Sequence, residues 1–239
     1  MGKVVAIASG KGGTGKSTVA AFLARALAEQ GRSTLVVEAD FGLRGLDLVL
    51  GVSQQTVYDC TDVLEERCRL SEAVVPIGRM GLWLLAGGNS ADYMPDMQRW
   101  VRFLQLCRRC YDFTIIDLPG GLGELVRQSA EVSDLVLAVV TPNQIAVRDC
   151  AQLSRVLQQR APLQRLVINR VPKKLNGSIQ DLDEVIDRTG IMLLGVLPDS
   201  EVIQTAAEDG KALAEGKEKT AFENLAARLC GQYRPLVIR

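Results

Sequence analysis

The chain has 239 residues, 47% of them hydrophobic, and it carries 28 basic and 28 acidic side chains but no histidine. The balanced charge gives no reason to expect constitutive binding to nucleic acid or to an anionic membrane, although it is compatible with a local basic patch. The lack of histidine excludes Ser–His and Cys–His nucleophilic pairs and removes the commonest zinc ligand.

The chain begins with a predicted strand rather than with an apolar signal segment, and no stretch approaches the roughly 18 consecutive apolar residues that a membrane span needs. Its cysteines are scattered, and they lie at Cys60, Cys68, Cys107, Cys110, Cys150 and Cys230. We therefore expect a cytoplasmic protein with reduced thiols.

One CxxC pair, Cys107 and Cys110, raises the question of an iron–sulfur or redox site. The first of these cysteines recurs at helical spacing with Met97, Trp100, Leu104 and Tyr111. That periodicity favours a buried helix face, and the neighbouring sequence supplies no further metal ligands. We expect neither zinc nor an iron–sulfur cluster.

Short apolar runs alternate with longer amphipathic segments along the whole chain. The first run, KVVAIAS, precedes a predicted helix that closes at Gly31, and STLVVEA follows as the second strand. Further predicted strands are GLWLLAG, FTIIDLP, DLVLAVVTP, QRLVINRV and IMLLGVLPD. Continuous apolar strands separated by helices indicate an α/β fold with a mainly parallel, twisted sheet that is flanked by helices on both faces.

The chain shows no internal repeat, no low-complexity tract and no linker rich in proline, glycine or serine. We therefore predict a single domain over residues 1–239. The least regular stretch, residues 42–81, is expected to hold short helices and a strand.

Between the first strand and the first helix lies GKGGTGKST, residues 10–18, which satisfies the phosphate-loop pattern GxxxxGK[ST]. Glycines let backbone N–H groups point at phosphate oxygens, and the following helix adds its positive end. Lys16 is expected to hold the β and γ phosphates, Ser17 to ligate Mg²⁺ and Thr18 to reach the α phosphate. The alternative is a flexible glycine loop beside a solvated lysine. The predicted ATP-binding set of this loop is Gly10, Lys11, Gly12, Gly13, Thr14, Gly15, Lys16, Ser17 and Thr18.

Two aspartates follow apolar strands, at the edge where open α/β sheets bind ligands. Asp117, after FTII, has the form of a Walker B aspartate that holds the metal or its water shell. Asp40, after LVVEA, is expected to orient or deprotonate the attacking water. A single aspartate after a strand is more often a turn or cap residue. The phosphate loop reverses that preference, so the predicted metal site is Ser17, Asp40 and Asp117.

The loop carries a second lysine, Lys11, next to its first glycine. Together with DFGLRGLDLVLG and DLPGG, it resembles the MinD/ParA family of deviant Walker A ATPases, and the MinD branch, which positions bacterial division sites, is the most similar. VYDCTDVLEE, TPNQIAVRDC, LVINRV and GVLPDSEVIQTAAEDGKAL continue the likeness over roughly residues 2–229. The resemblance implies a P-loop NTPase fold and a Mg²⁺-dependent ATPase that is slow unless a regulatory partner stimulates it.

The resemblance also implies roles for individual residues. Lys11 would cross a two-fold interface to the partner subunit's phosphates in an ATP sandwich dimer, and it would act in catalysis together with Lys16 and Asp40. The residues implied to frame the adenine are Asn169, Arg170, Pro198 and Asp199. An asparagine can pair with adenine in a bidentate way, and the guanine-reading NKxD motif is absent, so ATP is favoured over GTP.

Two positions near the site depart from the family pattern. Glu38 replaces the usual aspartate two residues before Asp40, and its extra methylene is expected to shift its contacts. Gly120 replaces the usual alanine of the DxPAG turn. We expect hydrolysis to persist despite both changes.

The C-terminal segment is a third departure, because MinD proteins end in a basic amphipathic helix that docks on the membrane. This chain ends in FENLAARLCGQYRPLVIR. Its helical stripe, which is expected to pack on the sheet, is Phe222, Leu225, Ala226 and Leu229. The apolar residues that could still touch the inner face of the cell membrane are Leu236, Val237 and Ile238.

Other proteins use the same scaffold. A ParA-like DNA-segregation ATPase would bind DNA nonspecifically through basic residues, for which RWVRFLQLCRR and VPKK are candidates. An iron–sulfur carrier would need paired cysteines late in the chain and a related tyrosine kinase would need a tyrosine-rich tail, and neither feature occurs. The expected partners are a second copy of the chain and an activating regulatory protein, with the membrane or DNA as further candidates.

Overall fold

The computed structural model describes residues 1–79, 81–160, 163–175 and 179–236 of the chain. Within these ranges, an eight-stranded sheet runs in the order β3-β4-β2-β5-β1-β6-β7-β8. The strands are β1 (Lys3–Ala8), β2 (Thr34–Glu38), β3 (Val75–Pro76), β4 (Leu82–Leu85), β5 (Phe113–Asp117), β6 (Leu135–Val140), β7 (Gln164–Val171) and β8 (Leu193–Pro198).

All neighbouring strands of this sheet are parallel except β3, which pairs antiparallel with β4 at the edge. β3 holds two residues, and Pro76 lacks the N–H that a longer ladder would need. The mainly parallel sheet predicted from the sequence is confirmed. Parallel pairing also brings the carboxyl ends of β1, β2 and β5 to one edge, because Asp117 lies opposite Ile7 on one side and Glu38 on the other.

Helices cover both faces of the sheet, as the alternation of strands and helices predicts. Successive side chains of a strand point to opposite faces. Accordingly, Val5 and Ile7 of β1 pack into one core cluster, and Val4 and Ala6 pack into another. The helices are α1 (Lys16–Glu29), α2 (Leu46–Val49), α3 (Cys60–Leu64), α4 (Leu70–Ala73), α5 (Met97–Cys110), α6 (Glu124–Val132), α7 (Gln144–Leu157), α8 (Leu182–Thr189), α9 (Glu201–Glu208) and α10 (Lys217–Leu229).

The irregular stretch of residues 42–81 holds the short helices α2, α3 and α4 and the strand β3, in agreement with the sequence prediction. α3 begins with a capping box, in which the Asp59 and Asp62 side chains each accept a hydrogen bond from the other residue's backbone N–H at 3.1 Å. Such caps stabilise helices that are too short to be stable by propensity alone.

The CxxC segment lies at the end of α5, and its two cysteines have different surroundings. Cys107 is fully buried beside Trp100 and Leu104, whereas Cys110 is exposed. Burial raises the pKa of the Cys107 thiol. α5 ends at Cys110, so Tyr111 caps the helix rather than extending its buried face. Among the described residues there is no cluster of three or more His, Cys, Asp or Glu side chains that could hold a metal.

The predicted stripe near the C-terminus is buried on α10, which packs on α1 and β8. Phe222 contacts Phe22 of α1 with ring centroids 5.4 Å apart. The Arg228 guanidinium on α10 donates hydrogen bonds to the carbonyl oxygens of Arg234 and Pro235 at 2.9 and 2.8 Å. These bonds hold the segment that follows the helix against the fold.

Leu236 is 43% exposed, and the sequence expectations for Val237 and Ile238 concern residues outside the described ranges. Within those ranges, none of the helices combines the length and the apolar character that a bilayer crossing requires.

Replacement of Phe222 by alanine tests the role of α10 in the core. Phe222 is 2% exposed, so we expect Phe222→Ala to lower the free energy of unfolding by about 3–5 kcal/mol. Urea denaturation followed by circular dichroism measures this change. The control is Tyr233→Ala, whose side chain is 91% exposed, and we expect it to change stability by less than about 0.5 kcal/mol. Equal losses in the two variants would contradict the packing described here.

Candidate functional site

The phosphate loop connects the end of β1 at Ala8 to the start of α1 at Lys16. Two of its glycines have left-handed backbones, with φ values of 80° at Gly13 and 86° at Gly15. Gly15 caps α1, and a Cβ added there would lie 2.4 Å from Asn169 Nδ2. Both positions therefore need glycine for the turn, and Gly15 also needs it for the close approach of Asn169 on β7.

Side chains hold the carbonyl oxygens of this loop. Ser9 Oγ donates to the Lys11 carbonyl oxygen at 2.6 Å, and Asn169 Nδ2 donates to the Thr14 carbonyl oxygen at 2.8 Å. The backbone N–H groups of residues 11–15 have no hydrogen-bond partner within the part of the chain that the structure describes. A loop that fixes its carbonyls and leaves its N–H groups unpaired is suited to bind an anion.

Asp117 is the most buried charged group at this edge of the sheet, with 1% exposure at the end of β5. Burial raises the pKa of Asp117 to about 7, and the charge of Lys16 and the Ser17 hydroxyl act against this rise. Its Oδ1 atom is buried and has no hydrogen-bond partner among the described residues. A buried, unpaired carboxylate oxygen is costly, and a divalent cation would both satisfy it and favour its ionised form.

The neighbouring groups fit Mg²⁺, which prefers oxygen ligands such as carboxylates and hydroxyls. Asp40 lies two residues beyond β2 and is half-buried. Burial raises the pKa of Asp40, and the nearby Lys16 charge lowers it. The structure thus brings Lys16, Ser17, Asp40 and Asp117 into one cluster, and their individual roles remain predictions.

The turn after β5 lies directly against the phosphate loop. A Cβ at Gly120 would lie 2.8 Å from the Gly12 backbone nitrogen, and the Gly121 N–H donates to the Ser9 carbonyl oxygen at 2.9 Å. Glycine at position 120, where the family usually has alanine, therefore allows this close approach. Thr14 presents a second buried side-chain oxygen that no described residue satisfies.

Two clefts flank Arg170 and Asp199, which line both of them. The smaller cleft, of about 200 Å³, contains Thr18 and all four residues that the sequence assigned to adenine. The larger cleft, of about 490 Å³, is lined by Lys11, Gly12 and Gly13 of the loop. Sequence reasoning missed further lining residues of these clefts, which include Thr141, Pro142 and Asn143 after β6 and Ile203 and Gln204 on α9.

Some of the residues that sequence reasoning missed could have been found from the sequence. TPN directly follows an apolar strand, the same position that pointed to Asp40 and Asp117. The α9 residues had none, because their approach to Asn169 depends on where α9 packs.

Asn169 links the phosphate loop to the smaller cleft. The residue is 7% exposed, and one N–H of its amide binds the Thr14 carbonyl oxygen. A primary amide has two N–H donors and an acceptor oxygen, so a bidentate pairing with a base remains compatible with this bond. Its neighbour Arg170 has φ of 53°, a left-handed conformation that is strained for a side chain of this type and is typical of functional sites.

Lys11 is half-buried and forms no salt bridge with the described residues. The residue lines the larger cleft. No carboxylate of the described residues neutralises the second lysine of the loop, which is therefore available to bind an anion.

Comparisons with known proteins agree with this geometry. Residues 5–213 match the CobQ/CobB/MinD/ParA nucleotide binding domain. The septum site-determining protein MinD of Bacillus subtilis is 33% identical over 248 aligned residues, which cover 100% of this chain and 92% of that protein.

Two solved structures have the same fold. The MinC:MinD cell division protein complex of Aquifex aeolicus matches with a TM-score of 0.91 and 28% identity, over 99% of this chain and 98% of the matched chain. The septum site-determining protein MinD of Pyrococcus horikoshii complexed with Mg-ADP matches with a TM-score of 0.85 and 28% identity, over 96% of each chain.

The matched region contains the phosphate loop, both aspartates and the residues around the two clefts. The family resemblance inferred from the motifs is confirmed. The chain belongs to the CobQ/CobB/MinD/ParA family of nucleotide-binding proteins, in the branch of the septum site-determining protein MinD.

Proposed function

We propose that this chain is a Mg²⁺-dependent ATPase that alternates between a monomer and an ATP-bound sandwich dimer and acts in placing the cell-division site. The observation that carries the proposal is the cluster of Lys16, Ser17, Asp40 and Asp117 beside a phosphate loop with unpaired N–H groups. The names of the relatives, which include a MinD complexed with Mg-ADP, support the nucleotide and the metal.

In this proposal the loop N–H groups and the buried Lys16 bind the phosphates of ATP. When bound, Mg²⁺ would act as a Lewis acid on the phosphate oxygens, and Ser17 and Asp117 would hold it with Asp40 close by. Asp40 would accept a hydrogen bond from the attacking water and so orient it toward the γ-phosphate. The chain's own groups thus bind, neutralise and position, which is what phosphoryl transfer requires.

Lys11 is proposed to act across the dimer. Among the described residues it has no carboxylate partner, and this together with its place in the open cleft supports a role toward a second nucleotide. A cation that a neighbouring subunit inserts at transferring phosphates accelerates hydrolysis by about 10³ to 10⁵ in other phosphoryl-transfer enzymes. Such a lysine would make hydrolysis depend on dimerisation.

The base of ATP is proposed to lie in the smaller cleft. Its walls are Asn169 and Arg170 from β7, Pro198 at the end of β8, Asp199 directly after it, and one face of α9. Thr18 on α1 also lines this cleft. In the proposed pose, the α phosphate would lie near Thr18, between the base in the cleft and the remaining phosphates in the loop.

Besides a second copy of itself, we propose that the chain binds a regulatory protein that stimulates hydrolysis. The Aquifex aeolicus complex, in which MinD is present together with MinC, supports a protein partner. The proposed location is the cytoplasm. A peripheral contact with the inner face of the cell membrane would involve Leu236, which is exposed, and the residues that follow it.

The ParA-like alternative has less support from the described surface. Two of its candidate DNA-binding arginines on α5 already form ion pairs, Arg99 with Glu65 at 2.9 Å and Arg108 with Asp134 at 2.8 Å. Arginines that are neutralised in this way release fewer counterions from DNA and contribute less affinity.

Substitutions of the two loop lysines are expected to affect different steps, namely ATP binding for Lys16 and dimer-dependent hydrolysis for Lys11. Lys16→Ala should weaken ATP binding about 100-fold or more, because it removes the buried cation of the loop. Lys11→Ala should bind ATP within about threefold of the parent protein but lose stimulated hydrolysis by about 10³ or more. A fluorescent ATP analogue and a phosphate-release assay measure the two quantities. The control is Lys3→Ala, at the opposite end of β1, which should change neither the ATP affinity nor the hydrolysis rate. Loss of ATP binding in Lys11→Ala would refute the role of Lys11 across the dimer.

Replacement of Asp40 is expected to trap the ATP-bound state. Asp40→Ala should reduce hydrolysis by about 10² to 10⁴, because the water loses its orienting carboxylate, while the phosphate loop still binds ATP. Light scattering after size exclusion should then show a dimer in ATP and a monomer in ADP. Asp92→Ala, which removes an exposed aspartate, serves as the control. An Asp40→Ala protein that stays monomeric in ATP, or hydrolyses ATP normally, would exclude this role.

DNA binding discriminates the two cellular roles. For a division-site ATPase we expect no ATP-dependent retardation of duplex DNA in a low-salt gel shift. ADP provides the control, and a parallel sedimentation with anionic liposomes reports membrane contact. A salt-sensitive shift that occurs in ATP and not in ADP would favour the ParA-like function instead.

A further inference from the structure

Glu38 is the last residue of β2, and its side chain is almost completely buried, with 2% exposure. It stands opposite Asp117 in the sheet register, and Asp40 follows two residues later. A charged side chain at such a depth needs partners that compensate for its lost hydration.

Backbone N–H groups provide that compensation on both carboxylate oxygens. Oε1 accepts hydrogen bonds from the N–H groups of Gly45 and Leu46 at 2.7 and 2.9 Å, and Oε2 accepts one from the Gly87 N–H at 2.9 Å. The donors come from two separate parts of the chain, the start of α2 and the residues that follow β4.

These bonds close the base of a loop. The Glu38 side chain reaches forward to residues 45 and 46, so residues 39–46, which we call the Asp40 loop, begin and end at the same carboxylate. The loop is tied at two further points, where the Ala39 N–H binds the Asp117 carbonyl oxygen and the Gly42 N–H binds the Gly88 carbonyl oxygen, each at 2.9 Å.

Position 87 is shaped to receive this carboxylate. A Cβ at Gly87 would lie 3.0 Å from Glu38 Cγ and 3.3 Å from the Glu38 carbonyl oxygen, and both distances are shorter than ordinary contact. Glycine at this position therefore lets the acidic side chain lie against the backbone.

We propose that Glu38 is a positioning residue for ATP hydrolysis, whose carboxylate clamps the Asp40 loop to the end of β4 and so fixes the Asp40 carboxylate relative to Lys16 and Asp117. The link to hydrolysis rests on the proposed function. The clamp itself rests on the three hydrogen bonds alone.

The length and the charge of the side chain are both required. An aspartate would withdraw the carboxylate by about 1.5 Å, one C–C bond, and could not reach both sets of donors from the same backbone position. A glutamine would present an NH₂ group to one of them, and two donors would then face each other. Bonds from N–H groups to a buried carboxylate are among the stronger ones in proteins, so either change should loosen the loop.

Hydrogen exchange of backbone amides measures directly whether the N–H groups bound by Glu38 are protected, and it does so without ATP. In Glu38→Gln and Glu38→Asp we expect the amides of Gly45, Leu46 and Gly87 to exchange about tenfold faster or more than in the parent protein. Gly87→Ala displaces the carboxylate without removing it and should have the same effect, so it covers the case in which the Glu38 variants fail to fold. The control is Glu72→Gln, because Glu72 on α4 also accepts a hydrogen bond from a backbone N–H, that of Arg69 at 2.7 Å, but its side chain is exposed.

Kinetics then test the link to Asp40. We expect the same three variants to lower kcat about 10- to 100-fold, because a misplaced catalytic group loses its geometry. The dissociation constant of a fluorescent ATP analogue should change less than about threefold, because the phosphate loop is untouched. Unchanged exchange would overturn the clamp, and faster exchange with unchanged kcat would overturn the positioning role. A parent protein without ATPase activity would instead refute the proposed function and leave the exchange result interpretable.

Discussion

A buried carboxylate at the end of β5 and a buried lysine at the start of α1 lie within each other's electrostatic field, and the rest of the site is arranged around this pair. Neither Asp117 nor Lys16 could be held at this depth without charges and dipoles nearby, because an ion that loses its hydration must be compensated by other charges or hydrogen bonds. The pair leaves one carboxylate oxygen without a partner among the described residues. The site is therefore electrostatically incomplete, and a divalent cation with an anionic ligand is the addition that would complete it.

The surrounding backbone is organised mainly by side chains that bind main-chain groups. Asn169 and Ser9 hold carbonyl oxygens of the phosphate loop, and Glu38 holds three N–H groups around the Asp40 loop. Close contacts at Gly15 and Gly120 let neighbouring segments approach this framework. Such a framework suits a reaction that needs positioning and charge stabilisation rather than a covalent enzyme intermediate, because the geometry of the site is set before the substrate binds.

Much of the fold could be predicted from local patterns. Continuous apolar runs marked seven of the eight strands, and helical spacing identified the buried faces of α5 and α10. The helix end at Cys110 and the antiparallel pairing of β3 with β4 were not predicted, because both depend on contacts with residues outside the local segment. The position directly after an apolar strand pointed to Asp40 and Asp117 as site residues, which stay predictions, and residues 141–143, which line the larger cleft, occupy the same kind of position after β6.

By itself, the sequence determined the phosphate loop, the alternation of strands and helices and the family, because these depend on residue types at short, regular spacings. Only the tertiary structure decided that β5 lies between β1 and β2, which is what brings Asp117, Asp40 and Lys16 together. It also decided the partners of Glu38, since Gly87 lies 49 positions away in the chain. No local pattern encodes such a distance, because strand order is set by how the two faces of the sheet are buried and not by the spacing of residues along one segment.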